Sequence, residues 1–201
     1  MKGEHVSADG DARVIVIGCS LGGMRALEVI LRGLGADFPL PIAVVQHRSS
    51  EWDGQQSMLA PLLQRHSALP VVEAADKDPL VGGRVYLAPP DYHLLLDDGV
   101  VALSVDARVM HARPSIDVLF ESAAEAYRGA VVGVILTGAS ADGTAGAQQI
   151  KRRGGTVIAQ DPAGAEAPTM PRAAITAGVV DRVLPLDEIA PYLNVAAVTH
   201  R

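Results

Sequence analysis

The stretch VIVIGCSLGGMRALEVI, residues 14–30, runs from four apolar residues through Gly18, a Cys19-Ser20 pair and Gly22-Gly23 into an amphipathic helical pattern. It reads as a strand, a tight turn and a helix. Such a turn gathers unpaired backbone N–H groups at the positive end of the helix dipole. Three chemistries fit there: a phosphate cradle, a reactive cysteine, or a seat for a serine nucleophile. The glycines at 18, 22 and 23 lack the dinucleotide-binding spacing, and no Lys-Ser or Lys-Thr pair follows, so the phosphate reading is weak. A helix N-terminus lowers a thiol's pKa, which keeps Cys19 in view. The simpler reading buries Cys19 at the strand end, its side chain opposite that of Ser20.

Outward from this stretch, short β-branched runs alternate with helical patterns, the signature of βαβ units around a parallel sheet. Strands are expected near 13–18, 41–46, 71–74, 83–88, 132–137, 155–160 and 180–184, with helices near 22–33, 54–66, 115–128, 143–153, 170–177 and 187–196. Met24, Leu27, Ile30 or Leu31, and Leu34 recur at helical spacing and should pack on the sheet. Pro61 should shorten or kink the second helix. In YHLLLDDGVVALSV two apolar runs flank Asp98-Gly99, a favoured type I′ pair, which predicts an antiparallel hairpin. The fold class is therefore α/β: a doubly wound, mainly parallel sheet with an antiparallel hairpin insertion. Residues 1–12 are expected to be disordered, and 13–201 to form one domain.

Composition narrows the function. The chain has 201 residues, enough to bury a continuous core. Its formal net charge is −6, with 17 Lys+Arg scattered along it, which excludes an electrostatic footprint for nucleic acid. Aromatic residues make up 3%, too few for a base-stacking platform. A single Cys cannot form an internal disulfide and suits a reducing compartment. No apolar run approaches the ~20 residues of a membrane span, so neither membrane insertion nor a location outside the cytoplasm is expected. The six His and one Cys are dispersed, with no metal-ligand spacing.

Ligands of a doubly wound sheet bind at the carboxyl ends of its strands. Three strand-end residues carry chemistry: Ser20 in IGCSLGG, His47 in IAVVQHRSS and Asp142 in VILTGASADGTAG. A serine, an imidazole to take its proton and an anion to orient the imidazole are what acyl transfer requires. Each also has an ordinary reading. Asp142 suits an N-cap for the helix beginning at GTAGAQQI, Ser20 could cap the first helix, and His47 could be structural.

With these segments in view, the chain resembles the catalytic domain of CheB, the protein-glutamate methylesterase of bacterial chemotaxis. The resemblance rests on seven ordered blocks: IGCSLGG, VVQHRS, VYLAPPDYHLLL, RPSIDVLFES, GVILTGASADGTAG, TVIAQD and TMPRAAI. It implies Ser20 as nucleophile, His47 as base and Asp142 as the carboxylate that orients it. It also implies Gly22 and Ala139 as backbone donors to an oxyanion, with Ser140 and Met170 beside the site. His111, in HARPSID, resembles a histidine of the family's H-R-P-S block with one residue inserted and is the rival base. Several positions depart from the family pattern. Leu21 replaces a usual Thr, Ala139-Ser140 a Met-Gly pair, Arg48-Ser49 a Met-Pro pair, and Thr169 a Gly.

The implied activity is hydrolysis of glutamyl methyl esters on methylated chemoreceptor helices, with glutamine deamidation as related chemistry and no cofactor required. Arg48, next to His47, would meet receptor carboxylates. The family's receiver domain does not precede the catalytic blocks, so either the chain is a stand-alone methylesterase or its regulator, a receiver or kinase protein, is a separate polypeptide. Two other classes remain open: a non-catalytic chemosensory scaffold and a small-molecule serine esterase.

Overall fold

The computed structural model of the chain describes residues 14–47 and 58–198. Segment 1–12 and Arg48 lie outside the described residues. The elements run β1 (Val14–Cys19), α1 (Gly23–Gly33), β2 (Ile42–Gln46), α2 (Leu59–Gln64), β3 (Val71–Glu73), β4 (Val85–Leu87), β5 (His93–Asp97), β6 (Val100–Ser104), α3 (Ile116–Tyr127), β7 (Val131–Ile135), α4 (Thr144–Arg152), β8 (Thr156–Gln160), α5 (Thr169–Thr176), β9 (Arg182–Leu184) and α6 (Leu186–Val198).

Seven strands pair in parallel in the order β3-β4-β2-β1-β7-β8-β9, and β5-β6 form a separate antiparallel ribbon. Strand β1 is central and buried at every position. Its alternating side chains divide the apolar interior into two layers, as strand geometry requires. Ile15, Ile17 and Cys19 join Ala26, Leu27, Ile30 and Leu31 of α1 with Ile189 and Leu193 of α6. Val14 and Val16 join Ile116, Leu119 and Phe120 of α3 with Ala147 and Ile150 of α4. A strand covered on both faces has no polar side to show, which is why VIVI is apolar without alternation.

The chain leaves β1 toward β2 on one side and returns to β7 on the other. Strands β1, β2 and β7 thus flank a topological switch point, and their carboxyl ends open one crevice.

Two local expectations need correction. Helix α2 spans 59–64, against 54–66 expected; residues 54–57 lie outside the described residues, and the helix ends two residues early. Pro61 occupies the first turn of α2, where an N–H has no intrahelical acceptor to lose, so it is compatible with the helix. The hairpin forms with Asp97 opposite Val100, but only Gly99 has a positive φ, at 77°. A type I′ turn needs positive φ at both central residues, so Asp98-Gly99 does not adopt it. That backbone pattern occurs instead at Met110 (φ 49°) and His111 (φ 65°), between the bridged residues Val109 and Ala112. Among the described residues, no helix is long and apolar enough to cross a membrane.

Helices α3 and α4 lie close together at Gly146. A Cβ there would lie 2.5 Å from Phe120 Cβ and 2.9 Å from the Asp117 carbonyl oxygen, so α4 would have to withdraw from α3. Gly146→Ala should therefore destabilise the protein by about 1–3 kcal/mol despite its better helix propensity. Ala145→Ser, on the exposed side of the same turn, should stay within about 0.5 kcal/mol. Thermal or denaturant unfolding of the two variants checks both expectations.

Candidate active site

Ser20 follows β1, His47 follows β2, and Asp142 lies in the loop between β7 and α4. Backbone bonds splice the three strand ends together. Ser20 N–H donates to the Thr137 carbonyl at 2.9 Å, and His47 N–H donates to the Cys19 carbonyl at 2.9 Å. The Gln46 side chain adds a further clamp. Its Nε2 donates to the carbonyls of Ser20 and His47, each at 2.9 Å, while its Oε1 accepts the Cys19 thiol at 3.0 Å. One amide side chain thus ties the backbone on which both the serine and the histidine sit.

Cys19 is fully buried in the layer with α1 and α6, and desolvation pushes its thiol far above the ordinary range. A thiol with no accessible thiolate form is a poor nucleophile. Ser20 is partly exposed, and its side chain does not cap α1, whose N-cap is Gly22.

His47 Nε2 lies 2.6 Å from Asp142 Oδ2, with the histidine side chain 14% exposed and the aspartate wholly buried. Asp142 is not the N-cap of α4. Gly143 holds that position with φ 98°, and the Asp142 carboxylate reaches instead to the start of α3. There Oδ2 accepts Ile116 N–H at 2.8 Å, and Oδ1 accepts Asp117 N–H at 3.0 Å and the Ser115 hydroxyl at 2.9 Å. Burial works against the Asp142 charge. The hydrogen bonds from His47, Ile116 and Asp117, with the nearby His47 charge, outweigh it and hold the carboxyl below the ordinary carboxylate range. An ionised carboxylate can only accept, so His47 Nε2 carries the proton and Nδ1 is left as the basic nitrogen. No hydrogen bond joins Ser20 Oγ to His47 among the described residues.

The remaining candidates distribute as follows. The N–H groups of Gly22 and Ala139 donate to no backbone acceptor among the described residues. Ser140 Oγ accepts the Asp142 N–H at 3.4 Å. Met170 is buried, with its N–H on the Gly138 carbonyl at 2.9 Å. His111 is exposed in the 109–112 turn and makes no hydrogen bond to Ser20, His47 or Asp142 among the described residues. No cluster of His, Cys, Asp or Glu suited to a metal occurs among the described residues.

Sequence reasoning passed over five supporting side chains: Gln46, His93, Ser115, Asp117 and Thr137. Thr137 Oγ1 donates to the Leu21 carbonyl at 2.8 Å and accepts Ala167 N–H at 2.8 Å, joining the serine loop to the segment before α5. Buried His93 accepts Ser115 N–H on Nδ1 at 3.2 Å and donates from Nε2 to the Ala107 carbonyl at 3.1 Å. A signal for Ser115 and Asp117 was present in PSID, a polar pair opening an expected helix. Nothing local in the sequence tells which helix such a carboxylate will cap.

The CheB methylesterase family model matches residues 15–193. The chain belongs to the CheB methylesterase family. A Leptospira interrogans protein provisionally named a protein-glutamate methylesterase/protein-glutamine glutaminase is 46% identical over 177 residues, 88% of this chain and 90% of its own length. The protein-glutamate methylesterase/protein-glutamine glutaminase 2 of Anaeromyxobacter dehalogenans is 51% identical over 181 residues, 90% of this chain but 52% of that protein, so the chain spans about half of that relative. The crystal structure of the Thermotoga maritima CheB methylesterase catalytic domain superposes with a TM-score of 0.85 at 39% identity, covering 92% of this chain and 98% of that one.

Packing beside Ser20 gives a direct test. A Cβ at Gly138 would lie 2.6 Å from Met170 Cε and 3.0 Å from Ser20 Cβ. The methionine end is flexible and can yield, whereas the serine is held by its backbone. Gly138→Ala should therefore leave the fold intact, with destabilisation of no more than about 2 kcal/mol; if Ser20 is the nucleophile, its displacement should also lower ester hydrolysis by about tenfold or more. Parallel circular dichroism melts and turnover assays check it.

Proposed function

We propose that the chain is a serine hydrolase that removes methyl esters from glutamyl side chains of chemoreceptors and serves chemotaxis-type signalling. The observation that carries the reading is the short contact between His47 and the buried Asp142 carboxylate, at the same edge of the sheet as Ser20. Membership of the CheB methylesterase family supplies the substrate class.

In this mechanism Ser20 Oγ attacks the ester carbonyl carbon as its proton passes to His47 Nδ1. Asp142 holds the Nε2–H and stabilises the imidazolium that forms. The oxyanion of the tetrahedral intermediate is received by backbone N–H groups, for which Gly22 and Ala139 are the candidates. Collapse breaks the carbon–methoxy bond, and the proton on Nδ1 leaves with methanol. Water, deprotonated by the same nitrogen, then cleaves the acyl-enzyme to free glutamate and Ser20. A glutamine side-chain amide follows the same course with ammonia as the leaving group, which supports deamidation as a second activity.

The natural partner is a methylated receptor helix, and Arg48, the residue after His47 in the chain, supplies a cation for receptor carboxylates. A receiver or kinase protein is the expected regulator, and the cytoplasm is the expected location.

Release of labelled methanol from a methylated receptor tests the proposal. Wild type should release it, Ser20→Ala should lose orders of magnitude, and Cys19→Ala should stay within a few-fold of wild type. A folded wild type that releases nothing and resists serine-directed reagents would be a scaffold. Rapid turnover of small esters with no receptor demethylation would make the chain a small-molecule esterase. An active Ser20→Ala variant would overturn the assigned nucleophile.

A further inference from the structure

Asp117 takes no part in the mechanism above, yet it is buried against the carboxylate that does. Its Oδ1 accepts the N–H groups of Gly143 at 2.9 Å and Gly146 at 2.7 Å, at the start of α4. Asp142, on the loop leading into α4, accepts N–H groups at the start of α3, including that of Asp117 itself. Each aspartate thus caps the helix that carries or follows the other. We infer that Asp117 is a positioning residue for ester hydrolysis, fixing the Asp142 carboxylate and adding a second negative charge behind it, so that a pair of carboxylates supports His47.

The geometry gives both parts of that role. Gly143 adjoins Asp142, so the Asp117 bond to Gly143 N–H fixes the turn from which the Asp142 side chain departs. Four groups then converge on Asp142, and a shift of that turn would disturb them together. A second anion near the Asp142–His47 pair also favours the imidazolium over the neutral ring.

The titratable groups around Asp117 are Asp142 from the loop before α4, His47 from the end of β2 beyond Asp142, and His93 from β5 behind Ser115. From α4 itself it meets backbone N–H groups. Burial and the Asp142 charge push the Asp117 carboxyl up to about 6, against the lowering effect of the Gly146 and Gly143 N–H groups. Asp117 is therefore largely ionised at pH 7 and above.

The inference rests on the Ser20, His47 and Asp142 reading, and its test keeps the two apart. In the full chain, Asp117→Asn retains a carbonyl to accept both α4 N–H groups but removes the charge. The expected result is a folded variant with kcat lowered about tenfold, KM within about twofold, and the acid limb of kcat/KM moved to lower pH by roughly half a unit. A raised carboxyl pKa contributes stability that is full below the unfolded value near 3.8 and is lost as pH rises through about 6. Asn does not titrate, so the melting temperature of the variant should gain on wild type between pH 4 and pH 7. An unchanged acid limb and kcat would reduce Asp117 to a helix cap and overturn the inference.

A wild-type measurement covers a variant that fails to fold. Carbon NMR of the Asp117 carboxyl should show an inflection near pH 6, and a charge coupled to His47 should register as a shared step in its ring resonances. Absence of the shared inflection overturns the inference without any variant. If Ser20→Ala remains active, the proposed mechanism falls, while the NMR titration still reports whether Asp117 and His47 are coupled.

Discussion

Two helices that start at the same place each need a partner for their orphan N–H groups, and here each borrows a carboxylate from the other. Asp142 closes the start of α3 and Asp117 closes the start of α4. Neither acid could be buried without such donors, because an unpaired charge in an apolar interior costs several kcal/mol. Helix ends supply the donors at the point where the dipole also favours a negative charge. Phe120 of α3 packs in one buried layer with Ala147 and Ile150 of α4, next to these two helix starts. Packing of α3 on α4 and orientation of the histidine partner are thus one arrangement.

Around Ser20 the control is exerted on backbone rather than on side chain. Gln46, Thr137 and the strand-end amides hold the carbonyls and N–H groups of the serine and histidine loops, leaving the Ser20 and His47 side chains at the crevice. This explains why the departure from the family pattern at Leu21 is compatible with the loop's contacts. Leu21 contributes its carbonyl to Thr137, a group every residue carries, and its side chain is exposed.

Much of this was legible in the chain. The unbroken apolar run VIVI announced a strand buried on both faces, and the alternation of strand and helix signals placed Ser20, His47 and Asp142 at strand ends. The turn chemistry was less legible: Asp98-Gly99 carried the type I′ signature, while Met110-His111, with no glycine, took that backbone form. Asp142 shows the same limit at the site. Its position ahead of a helix suggested a local cap, but a carboxylate can reach any helix start that packing brings near. The roles of Asp117, Gln46 and Thr137 arise from contacts between segments far apart in sequence, which no local pattern encodes. His111 was singled out by its neighbours in the chain; it is exposed in the 109–112 turn, with no hydrogen bond to Ser20, His47 or Asp142 among the described residues.

The contact between His47 and Asp142 joins residues 95 positions apart. Bringing such distant segments together is entropically expensive and slow relative to forming local helices and hairpins. Strands β1, β2 and β7 must all be in the sheet before the histidine meets its carboxylate. On the proposed mechanism, synthesis must therefore run past Asp142 before His47 gains the carboxylate that orients it. On that mechanism a partly made chain holds Ser20 and His47 with no anion behind the imidazole, and full hydrolysis waits on completion of the sheet.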